Sequence, residues 1–263
     1  MLFHARKVGI FTCTILMAVF MAGYPLLHAV AEEPIAPLQK QLAVVIDDFG
    51  NDMVGTEEMF AIPVPLTIAV MPFLPTTKRD ARLAHEKGHE VLVHLPMEPL
   101  RGKKSWLGPG AITTDLSSAE IRKRVEAAIQ DVPYAIGINN HMGSKATADE
   151  RVARIVVEVC KEKGMMILDS RTTDKSLLAK LAKQMAVPYA ENELFLDEIF
   201  TVSHISKQMN KIQKLLLKQD QCIAIGHVGT AGKKTAQVIQ ASVASIQKEA
   251  RFVSISKLMK LEP

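Results

Sequence analysis

Beyond residue 41 two rhythms of apolar residues alternate. Short apolar runs bounded by Gly, Pro, Asn or Asp predict strands at 42–46, 66–70, 90–95, 135–138, 165–168, 193–196, 222–225 and 252–255. Between them the apolar residues recur every three or four positions, which predicts helices at 51–60, 77–87, 174–185, 202–218 and 234–249, with a short terminal helix. Two further helices carry start signals. Ser117 and Glu120 form a capping box ahead of Ile121, Val125 and Ile129, and Thr147 and Glu150 form a second, with Gly164 as the stop. Seven or eight strand–helix units in one chain predict a parallel sheet with helices outside. The count favours a single-domain (β/α) barrel over an open doubly wound sheet. No glycine-rich phosphate or dinucleotide loop follows any strand.

The first residues follow another rule. Arg6 and Lys7 precede an apolar run from Val8 to Phe20 that continues patchily to Leu27. Pro25 interrupts it, and Ala29-Val30-Ala31 places small residues just before Glu32. This is the layout of a secretory signal peptide over residues 1–31, followed by a Pro-containing linker at 32–40 and the folded domain at 41–263. The expectation is an exported protein, periplasmic or secreted, with no membrane span after cleavage. An uncleaved N-terminal anchor is the alternative, because about 20 apolar residues span a bilayer.

Composition changes the picture little. The 263 residues are 48% hydrophobic, which suits an α/β enzyme. The formal charge is +4, and residues 1–31 hold two basic and no acidic side chains, so the remainder carries +2. That is too small and too scattered to predict a nucleic-acid partner. Cys160 and Cys222 sit in apolar patterns and are expected to be buried thiols, although export would permit a disulfide.

The ends of the apolar runs carry the chemistry. Asp47 and Asp48 follow the first, His94 and then Glu98 the third, and Asn139, Asn140 and His141 the fourth. Asp169 and Arg171 follow the fifth, Asp197 the sixth and His227 the seventh. A parallel barrel brings all these points to its C-terminal rim, where active sites form. A carboxylate and two imidazoles suit zinc or a similar divalent metal and leave positions open for water and substrate. Such a metal acidifies water and polarises a carbonyl, while a second carboxylate takes the water's proton and a protonated histidine serves the leaving group. Asp47 and Asp48 could divide these tasks, because neighbouring side chains of an extended segment point opposite ways. Plainer readings exist: a helix cap for Asp47-Asp48, a core imidazole for His94, an Asn-built turn at 139–141, an ion pair for Asp169 and Arg171, and a turn residue for Asp197. Trp106, the only tryptophan, lies in a long Pro- and Gly-rich loop at 96–115 and is a candidate sugar platform or plain loop packing.

Several stretches resemble a known family. Val45-Ile46-Asp47-Asp48-Phe49-Gly50 is similar to the opening motif of the polysaccharide deacetylase (NodB-homology, carbohydrate esterase) superfamily. Gly88-His89-Glu90-Val91 followed by His94 resembles its second motif, and Ile225-Gly226-His227 its last. His94-Leu95-Pro96-Met97-Glu98-Pro99, Asn139-Asn140-His141-Met142-Gly143-Ser144 and Leu168-Asp169-Ser170-Arg171 resemble the divergent polysaccharide deacetylase branch. The likeness runs over about 41–258. It implies a distorted barrel of seven or eight β/α units that removes acetyl groups from a sugar amine. Asp47 then matches the general base, Asp48 and His94 match metal ligands, and His227 matches the proton donor to the leaving amine.

The chain departs from the main superfamily where a second metal histidine would fall on Glu98. The predicted metal set is therefore Asp48, His94 and His141, with Glu98 as the alternative ligand. The superfamily's Arg-x-x-Tyr and Asp-x-x-x-Trp motifs are missing, and Asp169 with Arg171 are the candidates to replace their positioning pair. Asn140, Trp106 and Asp197 are the candidate substrate-binding residues. The resulting expectation is a zinc-dependent deacetylase acting on an envelope glycan such as peptidoglycan. A glycan-binding protein without turnover and an esterase or amidase on another acyl group are the alternatives.

Overall fold

A computed structural model describes residues 40–261. The expected signal or anchor segment lies outside them, as does the linker apart from Lys40. The strands are β1 (Lys40–Phe49), β2 (Thr67–Val70), β3 (Glu90–Met97), β4 (Ala135–Met142), β5 (Met166–Asp169), β6 (Tyr189–Glu191), β7 (Leu194–Phe195), β8 (Gln221–His227) and β9 (Ala250–Phe252). The helices are α1 (Thr56–Phe60), α2 (Thr77–Glu86), α3 (Ser118–Asp131), α4 (Glu150–Lys163), α5 (Leu178–Gln184), α6 (Val202–Leu216) and α7 (Gly232–Ile246). Strand order is β6-β5-β4-β3-β2-β1-β8-β7 and the strand pairs are parallel. No ladder joins β6 to β7 among the described residues, although the chain passes between them through Asn192 and Glu193 alone. The barrel is thus open along one seam. β9 fills the lower edge of β1 at Lys40–Leu42, below the point where β2 begins to pair at Val45.

Alternation along the strands separates two apolar layers. Leu42, Val44 and Ile46 face outward into the packing with the helices. Ala43 and Val45, with Ala69, Leu92, Leu168, Ala190, Ile223 and Ile225, form a second cluster. These are the inward positions, and the alanines among them keep the lumen narrow. Ile255 and Leu258, from a 3-10 helix at Ile255–Leu258, join this inner cluster, and Lys260 bridges to Tyr189, so the C-terminal segment closes the lower end. Continuing the inward phase upward reaches Asp47 on β1, His94 on β3, Asn139 and His141 on β4, and His227 on β8. The polar residues form the top layer of the lumen.

Several elements differ from expectation. β6 has three residues and no apolar run to announce it. α1 is half as long as predicted, because Gly55 takes a left-handed backbone (φ 95°) and delays the helix to Thr56. Ser117 caps α3 by accepting from the Glu120 amide, as its motif requires. The second box fails: Asp149, not Thr147, caps α4 by accepting from Val152 N. Thr147 instead donates to the Gly143 carbonyl. The last strand falls at 250–252 because the 252–255 run bends into the closing 3-10 helix. Cys160 and Cys222 are free and buried, and burial pushes the Cys222 thiol up to about 12. No helix of the described residues is long and apolar enough to cross a membrane.

The loop after β1 is held down by close backbone approach. A Cβ on Gly232 would lie 2.1 Å from the Val54 carbonyl oxygen. Gly232→Val should therefore lower stability by about 1–3 kcal/mol, read as a fall in melting temperature, since neither backbone can yield. An unchanged melting temperature would show that the α7 contact does not position this loop.

Candidate active site

A cleft of about 400 Å³ opens at the top of the lumen. Its lining includes Asp47, Asp48, His94, Asn140, His141, Ser144 and His227, together with Arg101, Phe195 and Glu198, which the sequence motifs did not flag. Asp48 reaches it by a backbone irregularity. As the neighbour of inward-facing Asp47 it would point outward, but the β1–β2 register shifts between Ile46 and Phe49, and Asp48 adopts φ 71°. A bulge of this kind re-aims a side chain next to a site. Asp80, fully buried, braces the turn by accepting from Gly50 N and Thr76 Oγ1.

Three donor atoms converge here. Asp48 Oδ1 lies 3.2 Å from His94 Nε2 and 3.0 Å from His141 Nδ1, and the two ring nitrogens are 3.1 Å apart. The neighbours fix both tautomers. Asn139 Nδ2 donates to Asp47 Oδ1 at 2.8 Å, so its amide oxygen faces His94 Nδ1 at 2.9 Å. An oxygen of that kind only accepts, so His94 carries a proton on Nδ1 and turns Nε2 toward Asp48. His141 Nε2 lies 3.1 Å from the Trp106 carbonyl, so that nitrogen donates and Nδ1 is the one turned to Asp48.

A carboxylate oxygen and two ring nitrogens thus face one another across 3.0–3.2 Å. That arrangement is repulsive unless a positive charge sits among them. Tetrahedral coordination at about 2.0–2.1 Å places donors about 3.3 Å apart, close to the observed edges. The residues present fit a small divalent cation.

Charge is set around this point. Burial raises the Asp47 carboxyl against the lowering pull of His94 and His227. Burial would raise Asp48 too, but His141 and His94 outweigh it and hold that carboxyl well below the usual range. His227 is held by Asp197, whose Oδ1 lies 2.8 Å from Nδ1 and whose Oδ2 accepts from the His227 amide at 2.8 Å and from Thr235 Oγ1 at 2.7 Å. Burial works against the charged ring, yet the Asp197 hydrogen bond and the nearby carboxylates prevail and raise His227 to about 9. The Phe195 ring stacks on it at 5.9 Å.

Other expected site residues serve different ends. Glu98 accepts from Thr114 N, Thr114 Oγ1 and Lys145 Nζ, so its carboxylate anchors the long loop and stands outside the three-donor cluster. Asp169 accepts from Arg171 N, and the Arg171 guanidinium is taken by Glu191 at 2.6 Å. The two make no side-chain pair with each other and line no part of the cleft. Asn140 does line it, but its amide is spent on Met142 O and Ser170 N, tying the β4 and β5 loops together. Trp106 contributes its carbonyl to His141, while its exposed ring stands beside Lys103, outside the cleft lining. Asp197 is 2% exposed and orients His227 rather than meeting a ligand. Asn139 was missed as a site residue in favour of Asn140. The period of two was the available signal, since 139 and 141 share a face and pair with His94 and Pro96.

Known proteins resemble this chain in sequence and in fold. The sequence model described as divergent polysaccharide deacetylase matches residues 44–259. Uncharacterized protein YibQ of Escherichia coli K12 is 35% identical over 222 residues, covering 84% of this chain and 68% of that protein. A solved uncharacterized protein of Agrobacterium tumefaciens C58 superposes with TM-score 0.77 at 19% identity, covering 86% of this chain and 92% of the other. The chitin deacetylase of Colletotrichum lindemuthianum shares the fold at TM-score 0.52 and 15% identity, over 86% and 92% of the two chains. With strand-end motifs, barrel and family match in agreement, this chain belongs to the divergent polysaccharide deacetylase family.

Proposed function

We propose that the protein is a metal-dependent hydrolase that removes N-acetyl groups from an envelope glycan, and that residues 1–31 direct its export. The observation that carries this reading is the triangle of Asp48 Oδ1, His94 Nε2 and His141 Nδ1, with edges of 3.0–3.2 Å. Those three side chains would hold the cation, with zinc favoured by the donor set. When bound, it supplies polarisation of the acetyl carbonyl and acidification of the attacking water.

The remaining steps belong to the chain. Asp47 has Oδ1 fixed by Asn139 and Oδ2 3.6 Å from His94 Nε2, so Oδ2 accepts the proton of the attacking water. His227, protonated at neutral pH, has Nδ1 engaged with Asp197, which leaves Nε2 to deliver a proton to the departing sugar nitrogen. Ser144, Arg101 and Glu198 offer polar contacts to a saccharide across the cleft.

The test measures metal content and acetate release together. Purified wild-type protein should hold about one divalent transition metal per chain and release acetate from acetylated chito-oligosaccharides or peptidoglycan. The His94→Ala, His141→Ala double variant should lose both. A metal-free wild type would remove the hydrolase reading, and release of acetate from simple esters alone would move the substrate away from amino sugars.

A further inference from the structure

Asn139 is fully buried on β4 and no motif assigned it a role. It spans two functional groups with opposite needs. Its Nδ2 donates to Asp47 Oδ1 at 2.8 Å and approaches Ser170 Oγ at 3.3 Å, and its Oδ1 faces His94 Nδ1 at 2.9 Å. A primary amide donates at one end and accepts at the other in a fixed plane. A carboxylate at 139 could serve only the histidine, and an ammonium only Asp47. The register pair His94–Asn139 places the amide directly beside the imidazole, on the strand next to β3.

We propose that Asn139 is the positioning residue that couples the cation site to the proton acceptor. Its oxygen fixes the His94 tautomer and keeps Nε2 free for the cation. Its nitrogen holds Asp47 Oδ1 and leaves Oδ2 as the working oxygen. The assignment rests on the hydrolase reading for the roles of Asp47 and His94, but the tautomer it demands is a property of the protein without any metal.

The two ends are separable by substitution. Asn139→Asp keeps an acceptor for His94 Nδ1–H, as carboxylates do behind many metal-bound histidines, but it cannot donate to Asp47. Asn139→Leu removes both ends. Zinc affinity, measured against a competing chelator, should fall about 10–100-fold in Asn139→Leu, the usual range for losing such a support. In Asn139→Asp it should stay within about threefold of wild type or tighten, while acetate release at saturating zinc drops at least about tenfold, the lower range for a displaced base. The absorption spectrum of the cobalt-substituted protein should be kept in Asn139→Asp and altered in Asn139→Leu. A residue that merely fills space would weaken both properties in step with melting temperature in both variants, and that outcome would overturn the assignment.

The ¹⁵N resonances of His94 in metal-stripped wild type give an independent reading. A single Nδ1–H tautomer is expected, replaced by a mixture in Asn139→Leu. A wild-type Nε2–H tautomer would overturn the proposal. A wild type that binds no zinc yet shows the Nδ1–H tautomer would instead refute the hydrolase reading and leave Asn139 as the residue that sets the His94 ring.

Discussion

Replacing Asp47 by Asn is expected to cut acetate release by about 10²–10⁴-fold while leaving the metal content near one per chain. The change is nearly isosteric and removes only the capacity to take a proton. Asp47 is 1% exposed, and the adjacent carboxylate, Asp48, is turned to the two histidines at 3.0–3.2 Å. Burial already raises its carboxyl, which makes it a stronger proton acceptor than a surface aspartate once ionised. The same burial carries a cost to the fold. An acid raised in the folded state is more costly to ionise there than in the unfolded chain, so at neutral pH it subtracts stability. The metal-stripped Asp47→Asn protein should therefore melt higher than wild type. Full activity in this variant would remove Asp47 from the reaction, and a loss of metal with it would show that Asp47 supports the cation site instead.

The second large effect concerns His227. Asp197→Asn should bring the His227 pKa down from about 9 toward its ordinary value near 6.5, followed by the ring's NMR resonances. The sign follows from linkage. A histidine raised in the folded state adds stability that is fully present below pH 6.5 and is lost as pH climbs through 9. Wild-type protein should accordingly be most favoured by this pair at neutral and acid pH, and the variant should lose that advantage. The same shift governs activity if His227 delivers the proton. The alkaline limb of kcat/KM should lie near 9 in wild type and move toward 6.5 in Asp197→Asn, with a rate loss of about 10- to 30-fold at pH 8 from the lost protonated fraction. An alkaline limb that does not move would assign the proton to another donor. Thr235 also donates to Asp197, and Thr235→Val, which leaves the carboxylate in place, should keep the His227 pKa well above 6.5.

Much of this was legible in order along the chain. Apolar runs of strand length fixed the parallel barrel because a strand buried on both faces must be apolar throughout, and the polar residues after each run marked its rim. Asp48, His94 and His141 could be picked out as one set because their types match one chemistry. Short elements were illegible for the same reason: β6 has too few residues to show a period.

What the amino-acid sequence determined by itself was the fold class, the strand ends and the candidate ligands, since these follow from local composition and period. What only the tertiary structure decided was which polar atoms are spoken for. Glu98 is taken by Thr114 and Lys145, Arg171 by Glu191, Asn140 by Ser170 and Met142, and Asp197 by His227. Hydrogen bonds saturate, and their partners lie far away in the chain, so a residue's type shows what it can bind but not what it is already bound to. The left-handed turn at Asp48 and the Asn139 bridge across 45 residues to His94 and 92 to Asp47 belong to that second class.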